Sequence, residues 1–114
     1  MSTASAISAA QVRDAAPLFA ALGDRTRLRL LVRLSSGGPD SIAGLSAKAE
    51  VSRQAIRKHL DVLRHAGLVR GERRGREHVW ELEAARLEDA HEHLVRISRQ
   101  WDDALGRLKK FVEG

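Results

Sequence analysis

The sequence predicts a mainly α-helical domain carrying one small β-hairpin, in the order α-α-α-α-β-β-α. Three observations lead there. Apolar residues recur at helical spacing over most of the 114 residues. The period drops to two only between residues 68 and 82. From Arg86 to Val112 the apolar positions fall into a seven-residue repeat. A chain of this length has room for a single core.

Taken in order, residues 1–10 are mostly Ala and Ser without periodicity and read as a flexible tail. The first helix is expected over "VRDAAPLFAALG", with Pro17 at its first position or bending it and Gly23 beyond its end. Asp24 caps a second helix, "RTRLRLLVRLSS". Its Leu28, Leu31, Val32 and Leu34 form the apolar side, Arg25, Arg27, Arg29 and Arg33 lie outside, and Gly37-Gly38-Pro39 stops it. Ser41 opens a short third helix, "IAGLSAKAE", with Ile42 and Leu45 inward.

Ser52 is the N-cap of the fourth helix, and Val51 before it can staple onto Ile56. Ile56, Leu60 and Leu63 make one apolar stripe, and Gly67 ends the helix. "LVRGER" and "REHVWEL" then alternate around Arg73-Arg74-Gly75-Arg76, a hairpin with an arginine-rich tip. His78, Trp80 and Leu82 share one face of it, and Glu77, Val79 and Glu81 the other. In the final helix, Leu87, Leu94, Trp101 and Leu108 alternate with Ala90, Ile97, Ala104 and Phe111 as an unbroken a/d seam. So small a domain cannot cover that length itself, which predicts a homodimer formed through the helix; the other reading is that the helix folds back onto its own core. The division expected is therefore a part of four helices and a hairpin over 11–83 and a dimerisation helix over 84–114.

Charge narrows the function. Residues 52–78 hold eight cations against three anions, whereas the rest of the chain holds twelve of each. All of the formal net charge of +5 thus sits in one quarter of the chain, which points to an anionic partner. Cysteine is absent, removing disulfides and thiolate chemistry. No apolar run is long enough for a membrane span and no secretory leader is apparent, so a cytoplasmic protein is expected. Neither a phosphate-binding glycine loop nor a nucleophile elbow is present, and no enzyme is predicted.

A short helix, a tight turn and a second helix with a single apolar stripe form a helix-turn-helix, whose second helix keeps its far side free to enter a groove of double-stranded DNA. On that side Gln54 can pair with adenine, Arg57 with guanine, and Lys58 with guanine or phosphate. Ser52 and Arg53, at the positive end of the helix dipole, suit phosphate. His59, flanking the stripe, can touch a phosphate or fill space. The hairpin fits a wing whose Arg73, Arg74 and Arg76 track the backbone or insert in the minor groove.

The stretches "ALGDRTRLRLLVRL", "VSRQAIRKHLDVLRHAGLV" and "GREHVWEL" together resemble the ArsR-type winged-helix regulators. That resemblance implies a homodimeric transcription regulator, usually a repressor, on an inverted repeat. Arg25 stands where that family often has proline, and Ala49-Glu50 where its turn often has glycine. The cysteine pair by which many members sense metals has no counterpart in "SIAGLSAKAE". Asp89, His91 and His93 match only half of the other familiar metal site, the second half falling on Asp102 without a histidine pair. The resemblance thus points to the branch without metal or other cofactor. Two other readings stand beside the repressor: a metal-responsive one using Asp89, His91 and His93 across the dimer, and a winged-helix module binding an acidic protein. The inducer, if there is one, is unassigned, an apolar cleft near Trp80 and Trp101 being one place for it.

Overall fold

The computed structural model describes residues 7–113. Most of the expected tail, residues 1–6, lies outside the described residues. Helix α1 spans Ala9–Leu22, starting earlier than the apolar pattern suggested, because Ser8 and Gln11 form a reciprocal capping box. Pro17 is therefore interior to the helix rather than at its start. Helix α2, Arg25–Gly37, is capped by the Asp24 carboxylate, which accepts the Arg27 N–H at 3.0 Å. Gly38 at φ +76° turns the chain out of α2.

The apolar face of α2 differs from expectation. Leu30, Leu31 and Leu34 are buried, while Leu28 and Val32 are about half or more exposed. Five apolar side chains in one helix allow two stripes, and the core lies under the one containing Leu30. Two of the α2 arginines are not simply outside. Arg27 donates to the Ala21 carbonyl at 2.7 Å, and Arg33 donates to the carbonyls of Leu45 and Gly44.

Those two carbonyls lie in the last turn of α3, Ile42–Ala47. A helix of six residues cannot sustain itself, and Arg33 supplies the donors that its C-terminal end lacks. Its N-terminus is closed by Ser41, whose hydroxyl accepts the Gly44 N–H. Helix α4, Arg53–His65, follows after Ser52, whose hydroxyl accepts the Ala55 N–H at 3.1 Å. Ile56, Leu60 and Leu63 are fully buried and Val51 packs against the same core. Gly67 ends the helix at φ +81°.

Strands β2, Val69–Arg74, and β3, Glu77–Leu82, pair antiparallel around Gly75-Arg76. Gly75 at φ +65° is the only left-handed residue of this two-residue loop, the pattern of a type II′ turn. A third strand, β1 (Asp40–Ser41), pairs with the other edge of β3 and makes β3 central. The sequence order is thus α-α-β-α-α-β-β-α, one short strand more than predicted. Trp80 joins the core, and Val79, on the opposite face with Glu77 and Glu81, is buried as well.

Helix α5, Ala84–Glu113, runs 30 residues and stretches the molecule to 66 × 26 × 21 Å. Its first turns pack against the part before it. Ala90 is core, Leu87 packs on it, and α5 lies against α1. Beyond Gln100 every described residue of the helix is exposed.

Candidate nucleic-acid interface

Helix α4 has two unlike sides. Its stripe of Ile56, Leu60 and Leu63 is sealed in the core, so the helix cannot rotate without exposing three large side chains. Opposite, Ser52, Arg53, Gln54, Arg57 and Lys58 are exposed. No carboxylate stands within ion-pair distance of Arg53, Arg57 or Lys58 among the described residues; the ion pair on this helix joins Arg64 to Asp61. Three cations and an amide are therefore held outward in fixed geometry, with no intramolecular partner to displace. Such an array can take up phosphates and read base edges in a major groove.

His59 is placed differently. It is half-buried, with Nδ1 3.3 Å from an Arg27 nitrogen and 3.8 Å from an Asp24 oxygen. It occupies the seam between α2 and α4. Asp24 itself is held below the ordinary carboxylate range, first by the Arg27 backbone N–H.

The wing stands beside α4. Arg73 and Arg76 are exposed without a carboxylate partner among the described residues, but Arg74 lies 3.4 Å from Glu72 and 3.8 Å from Glu81. Arg70, which the sequence reading passed over, pairs with Glu81 and, at 2.7 Å, with Glu83. These pairs neutralise the root of the wing and leave its tip the more positive part. Between wing and helix, the His78 ring stacks on Trp80 with centroids 4.8 Å apart. It lies across Gly71, where any Cβ would overlap the imidazole. A side chain at position 71 would have to displace the exposed His78 ring.

The interface is tied to α5 through Arg86. Its Nε donates to the Ala66 carbonyl at the end of α4, at 3.0 Å, and its other nitrogens grip both oxygens of Asp14 on α1 and one of Asp89. A cation there complements the negative end of the α4 dipole. Asp14 also accepts from His93 Nε2 at 2.9 Å. The Arg86 hydrogen bond above all, then that of His93, holds the Asp14 carboxyl down to about 2.

In that arrangement the residues of the alternative metal reading already have partners within the chain. Asp89 is engaged by Arg86, the buried His93 by Asp14, and His91 faces Glu88. Among the described residues no three potential ligands converge. Of the seam positions, Leu87 and Ala90 are used within the chain, whereas Leu94, Trp101, Leu108 and Phe111 are 53–84 % exposed. Ile97 is half-buried and Ala104 exposed.

A short helix, a turn, a packed helix with a free basic face and a hairpin beside it define a winged helix-turn-helix DNA-binding protein. A model described as a helix-turn-helix domain matches residues 22–72. The HTH-type transcriptional regulator YuzN of Bacillus subtilis (strain 168) is 40% identical over 65 residues, covering 52% of this chain and 71% of the relative. An ArsR-like transcriptional regulator from Rhodococcus sp. RHA1 superposes with a TM-score of 0.78 at 36% identity, over 90% of this chain and 95% of that one. The transcriptional repressor BigR from Xylella fastidiosa shares the fold at a TM-score of 0.61 and 24% identity, over 74% of this chain and 83% of its own. The chain belongs to the ArsR-type winged-helix transcriptional regulators, a family of DNA-binding proteins and not of enzymes. No helix of the described residues is long and apolar enough to cross a membrane.

Proposed function

We propose that the chain acts as a homodimeric repressor on an inverted-repeat operator, with α4 in the major groove and the wing against the backbone or minor groove. The observation that carries the reading is the pairing of a sealed inner face of α4 with a free outer one. Gln54, Arg57 and Lys58 then read base edges, Ser52 and Arg53 hold phosphate, and Arg73 and Arg76 extend the backbone contacts, with Arg74 contributing what its acids leave free. Two copies are needed because one helix-turn-helix covers a single half-site. The exposed run from Leu94 to Phe111 supports pairing of α5 with its counterpart, since apolar side chains at heptad spacing find no cover within one chain. Such a protein works where its DNA is, in the cytoplasm.

Two measurements test this. Fluorescence anisotropy on the DNA upstream of its own gene is expected to show binding at least a hundredfold tighter than on random DNA; equal affinity for both contradicts the reading. Sedimentation of Trp101→Glu should show a folded monomer with weakened operator binding, and an unchanged sedimentation coefficient would contradict pairing through α5.

A further inference from the structure

A cavity of about 400 Å³ opens between α2, α3 and the turn that leads into α4. Leu30, Leu45 and Ile56, core residues of three different helices, reach its floor, and Ala49 and Val51 form an apolar wall. Its rim carries Arg25, Arg29 and Lys48, all exposed and without a carboxylate within ion-pair distance among the described residues. Arg25 and Arg29 are one helical turn apart and so face the same way, an arrangement that costs stability unless an anion lies between them. Arg33, the next on that face, is already committed to the carbonyls of Leu45 and Gly44 and closes one end. Glu50 is the single acid of the lining.

We infer that this cavity is a site for a small organic anion, a carboxylate or phosphate monoester with an apolar body. Its volume falls within the range of small-molecule sites, roughly 300–1,000 Å³, and combines apolar walls with a few convergent charges as such sites do. A bare inorganic anion would satisfy the rim and leave the apolar wall uncovered; a neutral apolar molecule would leave the cations unused. Val51 precedes the N-cap of α4 and Ile56 sits in its first turns, so an occupant touches the residues that set how the DNA-reading helix leaves the turn. Its negative charge also adds to the potential beside Ser52 and Arg53. Occupancy therefore weakens DNA binding. That last consequence rests on the proposed function, whereas binding of the anion does not.

The test is calorimetry on the full chain without DNA, using octanoate and octyl phosphate against acetate and inorganic phosphate. One octyl anion per chain is expected, with the short anions at least tenfold weaker. Arg29→Gln should reduce octyl-anion binding at least tenfold with an unchanged melting temperature, because the Arg29 side chain makes no hydrogen bond among the described residues. Ala49→Leu, filling the cavity, should do the same. Absence of octyl-anion binding below millimolar, equal binding of all four anions, or full binding by Arg29→Gln would each overturn the site. If Arg29→Gln weakens DNA binding while octyl anions do not bind, the rim cations are phosphate contacts and the site is overturned. If octyl anions bind as expected but upstream DNA is not retained, the site stands and the operator reading fails.

Discussion

The outer face of α4 and the junction where α5 crosses α1 are both built on arginine, and they use it in opposite ways. At the junction, Arg86 spends its guanidinium on the Ala66 carbonyl, Asp14 and Asp89, and those bonds fix three helices to one another. On α4, the guanidinium groups of Arg53 and Arg57 bond to nothing among the described residues and are held only through the backbone that Leu60 and its neighbours anchor. A structural arginine is one whose partners are already present; a recognition arginine is one whose partners have to arrive. The distinction lies in the acids and carbonyls around each residue rather than in the residue.

The largest expected effect removes the anchor. Leu60→Ala, at a site with no exposure, should cost about 2–5 kcal/mol of stability, measured by denaturant unfolding, and take DNA binding down with it. Arg57→Ala should separate the two uses. It is predicted to leave unfolding unchanged while costing ~1–3 kcal/mol of operator affinity at one base position, read by anisotropy across a set of single-base operator variants. Arg86→Ala is the mirror image, with a stability loss of about 1–2 kcal/mol and unchanged specificity in whatever fraction stays folded. Arg74→Ala, whose charge is partly offset by Glu72 and Glu81, should weaken all DNA sequences alike and lower the slope of log affinity against log salt by less than about one.

The smallest effect is one of pH. Asp14 titrates at about 2 in the folded chain against an ordinary 3.8, so its contribution is fully present above the unfolded value and is lost as pH falls from there towards 2. Asp14→Asn should remove that part of the acid sensitivity, measurable as a shallower fall of melting temperature between pH 4 and 2, while binding at neutral pH keeps its sequence preference.

Local chemistry was legible in the sequence. Asp24, Ser41 and Ser52 cap the helices they were expected to cap, because a cap needs only its own next three residues. Ser8 and Gln11 spell a capping box in the same way, and attention to it would have placed the start of α1. The cross-strand pair of Arg70 with Glu81 also follows from the hairpin register once Gly75 is taken as the turn. What lay out of reach was set by distant residues. The phase of the α2 stripe depends on where the core sits, β1 exists because β3 offers it an edge, and His93 is buried because Asp14, far back in the chain, meets it. For the interface, the outward set on α4 was readable from periodicity alone, whereas which wing arginines are neutralised and where His59 points needed the assembled neighbours.

In the proposed complex a pair of α4 helices reads DNA with the face the core leaves free. Selection of binding sites from random duplex DNA by the purified chain tests it most directly. The expected result is an inverted repeat whose half-site centres lie about one helical turn, ~10–10.5 base pairs, or a multiple of it apart, and loss of preference at one symmetric position in each half-site for Arg57→Ala. Recovery of no repeat, or of the same repeat with undiminished preference from Arg57→Ala, would contradict it.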